Sequence, residues 1–438
     1  MRRVLGLAAH ATVSKRPANT ATNAHSSSSV WTPSASMKPA ARLKASMATS
    51  VRSLSLRASP VALARLRRTG VRSAMKASTG RLSGLCTCPV SSMAQLPSVP
   101  MAEEGAPERG AVVEAAGREL VISHPGKVFF EERGETKLDL VRYYQAVEGP
   151  LLTAMGGRPV LLQRFPNGAG GSSFFQKRVP DNAPGWLETT IVSTPNGTTS
   201  RALVAADLAH VLWAVNMACL GFHVWPSKAT DPEHADELRI DLDPTPGVTF
   251  PMVQEAATEV KALLDEVGLV GLPKTTGNRG IHVYVRLEPR WTSYDVRAAA
   301  VAVARELERR RPDLITAAWW KEERGTRVFV DFNQNAPHKT VFGAWSVRAR
   351  PGAQVSTPFR WDELGEVHPD DLTIANVPAR VAVGGDPWAG AAPQSLEPLL
   401  EMSRRDLAGG LQDAPWPPVY PKMPGEPPRV APSRARKP

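Results

Sequence analysis

Between residues 237 and 333 the hydrophobic pattern changes period four times. "ELRIDLD", "IHVYVRL" and "TRVFVDFN" alternate apolar and polar residues. Between them, "FPMVQEAATEVKALLDEVG" and "YDVRAAAVAVARELERRR" repeat apolar residues at helical spacing. Period 2 specifies a strand with one buried face; period 3.6 specifies an amphipathic helix. Thr249 precedes the first helix as a cap, and Thr292 or Ser293 the second, while Gly268 and Pro312 stop them. The order β-α-β-α-β predicts a mixed sheet with helices packed on it, hence an α/β or α+β fold.

Two of these strands carry carboxylates where strands seldom do. In "RIDLDP", Asp241 and Asp243 share one face and Ile240 and Leu242 the other. Like charges side by side repel and strands are poor in Asp, so a cation between the pair explains what a bare strand does not. The plain alternative is a solvated strand end before Pro244. In "TRVFVDFN", alternation turns Val328, Val330 and Phe332 one way and Phe329, Asp331 and Asn333 the other. If the two strands are neighbours, Asp241, Asp243 and Asp331 converge. Hard oxygen donors of this kind suit Mg²⁺ or Mn²⁺ rather than zinc. Two such ions about 3.5–4 Å apart serve in-line phosphoryl displacement.

The surrounding residues narrow the class. "TTGNRGIH", residues 275–282, is a turn of hydroxyls, glycines and an Arg leading into a strand, the composition of an anion nest. His282 lies opposite Ile281 and Val283, where a satisfied core histidine is the ordinary reading and a phosphate contact the functional one. His223, in "FHVWPSK", has a helix-end reading. Arg348 and Arg350, in "WSVRARPG", grip a triphosphate or line a solvated edge strand. Gln334 and Asn335 are candidate contacts for a sugar. Together these groups are what handling a nucleoside triphosphate requires.

The rest of the chain divides by composition. The net charge of +11 belongs to the first part: residues 1–102 hold 15 Lys and Arg and no Asp or Glu, leaving 38 basic against 42 acidic residues beyond. Any nucleic-acid contact must therefore rest on local patches. Residues 1–112 predict a disordered basic segment, with a translation start at Met101 or an organelle-targeting segment as the other readings. Residues 113–390 predict the folded domain, and the Pro-rich residues 391–438 a disordered tail. Lys137 to Val147 reads as a helix, "RPVLLQRF" as a strand before a Gly-rich loop, and "AADLAHVLWAVNMACLG" as one helix ending at Gly221. Three cysteines without zinc spacing fit a reducing, cytoplasmic setting. No apolar run reaches the roughly 18 residues of a membrane span.

The ordered set "SHPGKVFF", "GETKLDLVRYY", "QRFPNG", "SSFFQKRVP", "FHVWPSK", "RIDLDP", "TTGNRGIHVYV", "RVFVDFNQN" and "WSVRARPG" resembles the polymerase domain of bacterial DNA ligase D, of the archaeo-eukaryotic primase superfamily. The resemblance implies an α+β primase-polymerase core of mixed β-sheets flanked by helices, plus an N-terminal α/β module. It implies a template-directed nucleotidyltransferase that fills gaps at double-strand breaks during end joining, often with ribonucleotides and manganese. Asp241, Asp243 and Asp331 match the family's catalytic, metal-binding triad, for two Mn²⁺ or Mg²⁺ ions. His223, Thr276, His282, Gln334 and Arg348 match nucleotide-binding positions. Lys127 and Lys137 match lysines that grip a 5′-phosphate on the DNA, Arg164 and Lys177 fall beside them, and Phe174 and Phe175 match an aromatic pair that stacks on bases.

Gln163 stands where relatives often carry another Lys, which points to a weaker hold on the 5′-phosphate. The short acidic "DPEHADE" and the lack of a Lys-x-Asp-Gly ligase motif point to the stand-alone branch. A separately encoded ATP-dependent ligase and the Ku end-binding protein are then the implied partners, with nucleoside triphosphates and 5′-phosphorylated DNA ends as substrates, in the bacterial nucleoid. The other readings are a non-catalytic module that binds 5′-phosphate ends, and a primer-independent primase.

Overall fold

The computed structural model of the protein describes residues 110–429. The expected basic segment, the targeting reading and Met101 lie outside the described residues, as does any part of the N-terminal module before residue 110. From residue 110 the chain forms the hairpin β1 (Ala111–Ala115) and β2 (Arg118–Ile122), then the short pair β3 (Val128–Phe130) and β4 (Glu135–Thr136). Helix α1 (Lys137–Ala146) opens on a capping box in which Thr136 and Asp139 satisfy each other's backbone N–H groups. It is followed by α2 (Glu148–Met155), β5 (Pro159–Arg164), β6 (Phe174–Gln176), β7 (Thr189–Ser193), β8 (Thr199–Val204), α3 (Leu208–Asn216) and β9 (Cys219–Val224).

The carboxylate-bearing half contains β10 (His234–Pro244), α4 (Phe250–Glu266), β11 (Leu272–Thr275), β12 (Ile281–Thr292), α5 (Ser293–Arg310), β13 (Ile315–Thr316), β14 (Val328–Val330) and β15 (Val341–Phe342), then α6 (Val377–Gly384) and α7 (Glu397–Ala408). Two sheets carry the fold. One has the order β11-β12-β10-β14-β13; the other runs β15-β9-β5-β8-β7, with β6 paired to β5. All pairings in them are antiparallel except β13 with β14. This is the α+β class. Among the described residues no helix is long and apolar enough to cross a membrane.

Three expectations need correction. The apolar run 205–221 is not one helix: α3 ends at Asn216, Ala218 takes a positive φ of 64°, and the chain turns into β9. Cys219, Leu220, Gly221, Phe222 and Val224 are all buried, and a strand buried on both faces shows no alternation to separate it from a buried helix. Gly221 is mid-strand, where the Phe342 ring packs so closely that any Cβ would collide with it.

The expected tail is folded as far as residue 429. Helix α7 packs on α5, with Leu399 and Met402 buried along it and Leu396 buried at its cap, and Ala414, Trp416 and Tyr420 are buried beyond it. Proline removes backbone donors, but its carbonyls still accept, and the apolar residues between the prolines supply the anchors. Finally, the strand "TRVFVDFN" ends at Val330. Asp331 begins a 3-10 turn, Phe332–Asn335, so Asn333 does not share its face.

Candidate active site

Alternation along β10 sends Leu238, Ile240 and Leu242 into the core beneath α4 and α5. Glu237, Arg239, Asp241 and Asp243 occupy the opposite face. Register extends that face into rows. Asp241 sits opposite His282 on β12, which sits opposite Lys274 on β11; Arg239 pairs with Tyr284 and Glu237 with Arg286. On the other side, β14 pairs Val330 with Leu242 and Phe329 with Asp243. The Asp331 N–H then donates to the Asp241 carbonyl at 2.9 Å. The two Asp-bearing segments are therefore neighbours, and the third carboxylate meets the other two at the end of β14.

Burial, with the Asp241 charge acting on its two neighbours, disfavours the ionised form of all three carboxyls. Burial pushes Asp241 up to about 6, with Lys274 and Arg348 opposing. Burial and the Asp241 charge push Asp331 up to about 7, and burial and Asp241 raise Asp243 as well. Gln334 Nε2 donates to Asp331 Oδ2 at 3.0 Å. Among the described residues no group of three or more His, Cys, Asp and Glu side chains is placed to hold a metal ion. What the site offers is an open set of hard oxygen donors whose mutual repulsion a divalent cation would relieve, and that donor chemistry fits Mg²⁺ or Mn²⁺.

Beside this set lies a dense cationic wall. Arg348 is mostly buried, with its guanidinium 3.5 Å from the Phe342 ring centre, and donates from Nε to the Thr276 carbonyl at 2.8 Å. Burial lowers its proton affinity to about 10. The turn after Thr275 packs tightly here: a Cβ on Gly277 would lie 2.9 Å from Arg348 Cγ, and one on Gly280 would lie 2.6 Å from the Leu242 carbonyl oxygen. Thr276 Oγ1 accepts from the N–H groups of Asn278 and Gly280, both at 3.2 Å. Two of the turn's N–H groups are thus satisfied internally and are not offered to an anion as the nest reading expected.

Both histidines are held neutral. His282 Nε2 lies 3.1 Å from Asp241 Oδ1, yet burial, Lys274 and Arg348 push its proton affinity well below the usual value. Its Nδ1 is buried without a partner. His223, on β9, stands edge-on between Phe175 and Phe342, at 5.2 and 5.3 Å. Burial, then Arg348 and Lys274, lower it to about 4, and its Nε2 also has no partner.

The residues expected to meet DNA separate into two groups. Phe174 and Phe175 are about half exposed on β6, and Lys177 follows them into solvent. Arg164 lies 5.1 Å from the Phe174 ring centre and holds the Met217 carbonyl and Gln176. Lys127 is exposed, its ammonium donating to the Pro166 carbonyl at 2.6 Å. Lys137 departs from expectation. It is 5 % exposed, and its ammonium donates to the Ser123 carbonyl at 2.6 Å and the Asn216 carbonyl at 3.0 Å. Its ammonium is turned to the protein's own carbonyls, tying α1 to the end of α3. Asn335 is likewise structural, bonding both backbone groups of Arg239. Arg350 pairs with Asp370.

The family described as the LigD primase-polymerase domain matches residues 136–388. The chain belongs to this family. It is 33 % identical over 267 residues to the multifunctional non-homologous end joining protein LigD of Mycolicibacterium smegmatis, covering 60 % of this chain and 35 % of that protein. It is 33 % identical over 264 residues to the bifunctional non-homologous end joining protein LigD of Bacillus subtilis, covering 60 % of this chain and 42 % of that one. The chain thus spans well under half the length of these relatives. Among solved structures, the polymerase domain of Mycobacterium tuberculosis ligase D in complex with DNA matches with a TM-score of 0.59 and 32 % identity, over 62 % of this chain and 97 % of that one.

Sequence reasoning missed several residues of this LigD-type site. Lys274 is fully buried, donates to Ser356 Oγ at 2.7 Å, and is driven well below the usual lysine range by burial and Arg348. Its signal was a lone Lys in the short strand before the Gly turn. Arg324 packs 3.4 Å from the Phe329 ring centre and faces Asp331 and Asp243 electrostatically. Glu237 binds Arg158, Arg239 and Arg286 in a buried cluster, and Arg239 reaches across to the Val224 and Trp225 carbonyls at 2.7 and 2.8 Å. That cluster holds β9, with His223, against β10, with Asp241.

Proposed function

We propose that this chain is a template-directed nucleotidyltransferase that adds nucleotides, ribonucleotides included, to a 3′-OH at gaps or break ends in end-joining repair. One observation carries the reading: three carboxylates, two on β10 and one on the turn that ends its neighbour β14, each with raised proton affinity, beside a buried wall of Lys274, Arg348 and neutral histidines. Membership of the LigD polymerase family supports it.

Asp241, Asp243 and Asp331 would hold two divalent ions, Mn²⁺ or Mg²⁺, which when bound lower the pKa of the primer 3′-OH and stabilise the leaving pyrophosphate. Gln334 keeps one Asp331 oxygen engaged and so limits its orientation. Arg348 places positive charge beside the triphosphate, with Lys274 buried behind it. His223, neutral at working pH, offers Nε2 to the nucleotide without adding charge. On the other sheet, Phe174 and Phe175 stack on bases, while Lys177 just after β6 and Lys127 just before β3 neutralise phosphates, a combination that binds DNA without reading sequence. The 5′-phosphate contact rests on Lys127, since Lys137 faces inward. Ku and a separately encoded ATP-dependent ligase remain the proposed partners, in the bacterial nucleoid.

The test is primer extension on a gapped duplex with Mn²⁺ and ribonucleoside triphosphates. Asp241→Ala with Asp243→Ala is expected to abolish extension and retain DNA binding. Undiminished extension by that variant rejects the reading. No extension by the unmodified protein, with intact binding to 5′-phosphorylated ends, favours a non-catalytic end-binding module.

A further inference from the structure

The turn that carries Asp331 and Gln334 is gripped from behind by residues 413–429, which lie past the end of the family match at residue 388. A 3-10 turn has roughly three residues per turn, so positions three apart share a side. Asp331 and Gln334 lie on one side and are joined by a hydrogen bond. Asn333 and Ala336 lie on the other. Asn333 is buried: its Oδ1 accepts from Arg297 Nε at 2.7 Å and its Nδ2 donates to the Pro415 carbonyl at 3.1 Å. Its backbone N–H donates to Asp331 Oδ1 at 3.1 Å. A continuous path therefore runs from the Pro415 carbonyl through Asn333 to a carboxylate oxygen of the site.

The grip has two further points. Ala336 is fully buried in a small apolar cluster with Trp416 and Tyr420, and the Tyr420 hydroxyl donates to the Pro337 carbonyl. Arg297, on α5, pairs with Asp413 at 3.0 Å and donates to the Ala414 and Pro415 carbonyls, with the Trp416 ring centre 3.8 Å from its guanidinium. The segment is closed on itself by Glu426, which accepts from the Trp416 N–H at 2.7 Å and the Met423 N–H at 3.0 Å and pairs with Arg429.

The site needs such support. Strand β14 is three residues long, and a short 3-10 turn has poor hydrogen-bond geometry. Neither resists the repulsion among the carboxylates. We propose that residues 413–429 form a strap that sets the direction of the Asp331 carboxylate, and with it the readiness of the site for divalent ions, with Asn333 and Arg297 as positioning residues. The inference rests on the nucleotidyltransferase reading only for what the ions are used for.

The experiment compares Asn333→Ala and Tyr420→Phe with the unmodified full chain. Mn²⁺ binding is read directly from the paramagnetic resonance of unbound Mn²⁺, without nucleotide. The Mn²⁺ dependence of primer extension and the KM for gapped DNA are measured alongside, well below the melting temperature. Removing a group that orients a metal ligand costs about tenfold or more in affinity. Asn333→Ala is expected to weaken Mn²⁺ binding and raise the half-maximal Mn²⁺ requirement by about that factor, with the KM for DNA unchanged. Tyr420→Phe removes one hydroxyl and keeps the packing; a weakening of about twofold or more is expected, and it carries the test if Asn333→Ala does not fold. Unmodified Mn²⁺ binding and requirement in the folded variants, with only a lower melting temperature, overturns the proposal. If the unmodified protein binds Mn²⁺ but extends no primer, the nucleotidyltransferase reading fails while the strap is still judged by Mn²⁺ binding.

Discussion

Asp331→Asn is expected to stabilise the ion-free protein while abolishing its activity. Burial and the Asp241 charge move the Asp331 carboxyl from 3.8 to about 7. Between those values the folded state binds a proton that the unfolded chain has released, so stability falls as pH rises from about 4 to about 7. An interval of about three pH units, at about 1.4 kcal/mol each, caps the cost of ionisation near pH 8 at roughly 4 kcal/mol. Asn removes that cost. It keeps an acceptor for the Asn333 N–H but turns an amino group toward Gln334, which must rotate its own amide. Allowing about 1–2 kcal/mol for this adjustment leaves a net gain of about 2–3 kcal/mol. The melting temperature should then rise by several degrees, at roughly 2–4 °C per kcal/mol. The assay is thermal unfolding in a metal chelator at about pH 8 and about pH 5. The advantage should shrink by more than half at the lower pH, where the unmodified carboxyl keeps its proton. Equal melting temperatures at both pH values, or a less stable variant near pH 8, would refute the claim that this carboxylate is held in an unfavourable charge state.

Glu237→Gln leaves Arg239 and Arg286 without their buried counter-charge and Arg158 with Asp236 alone, and should cost about 3–5 kcal/mol in urea unfolding. The three guanidiniums hold Glu237 at about 2, so its stabilisation is complete above the ordinary 4.5 and is lost as pH falls toward 2. Lys137→Ala strands the Ser123 and Asn216 carbonyls and should lower stability by about 2–4 kcal/mol. Lys127→Ala, at an exposed position, should leave the melting temperature alone and reduce the preference for 5′-phosphorylated over unphosphorylated gaps in anisotropy titrations. Phe174→Ala and Phe175→Ala should each weaken DNA binding by about 1–3 kcal/mol, with little change in the slope of affinity against salt.

What a strand face carries was legible before any pairing was known. Period 2 places Asp241 and Asp243 together because side-chain direction is a property of the local backbone. The α4 and α5 patterns and the Thr292 cap are local in the same sense. The limits are equally physical. Lys137 and Lys127 look alike along the chain, yet one ammonium meets carbonyls from α3 and the other stays exposed, and only packing chooses between water and carbonyl. The apolar run through Cys219 has no period to read, because β9 is covered on both sides. Prolines after residue 391 signal a loss of donors, which does not distinguish a loose tail from a strap anchored by Trp416 and Tyr420. Along β10, α4 and α5 the sequence alone determined which residues lie side by side. Tertiary structure alone decided that β14 adjoins β10, that Asp331 meets Asp241, and that Lys274 stands behind them, because strand order and burial depend on contacts between residues far apart in the chain.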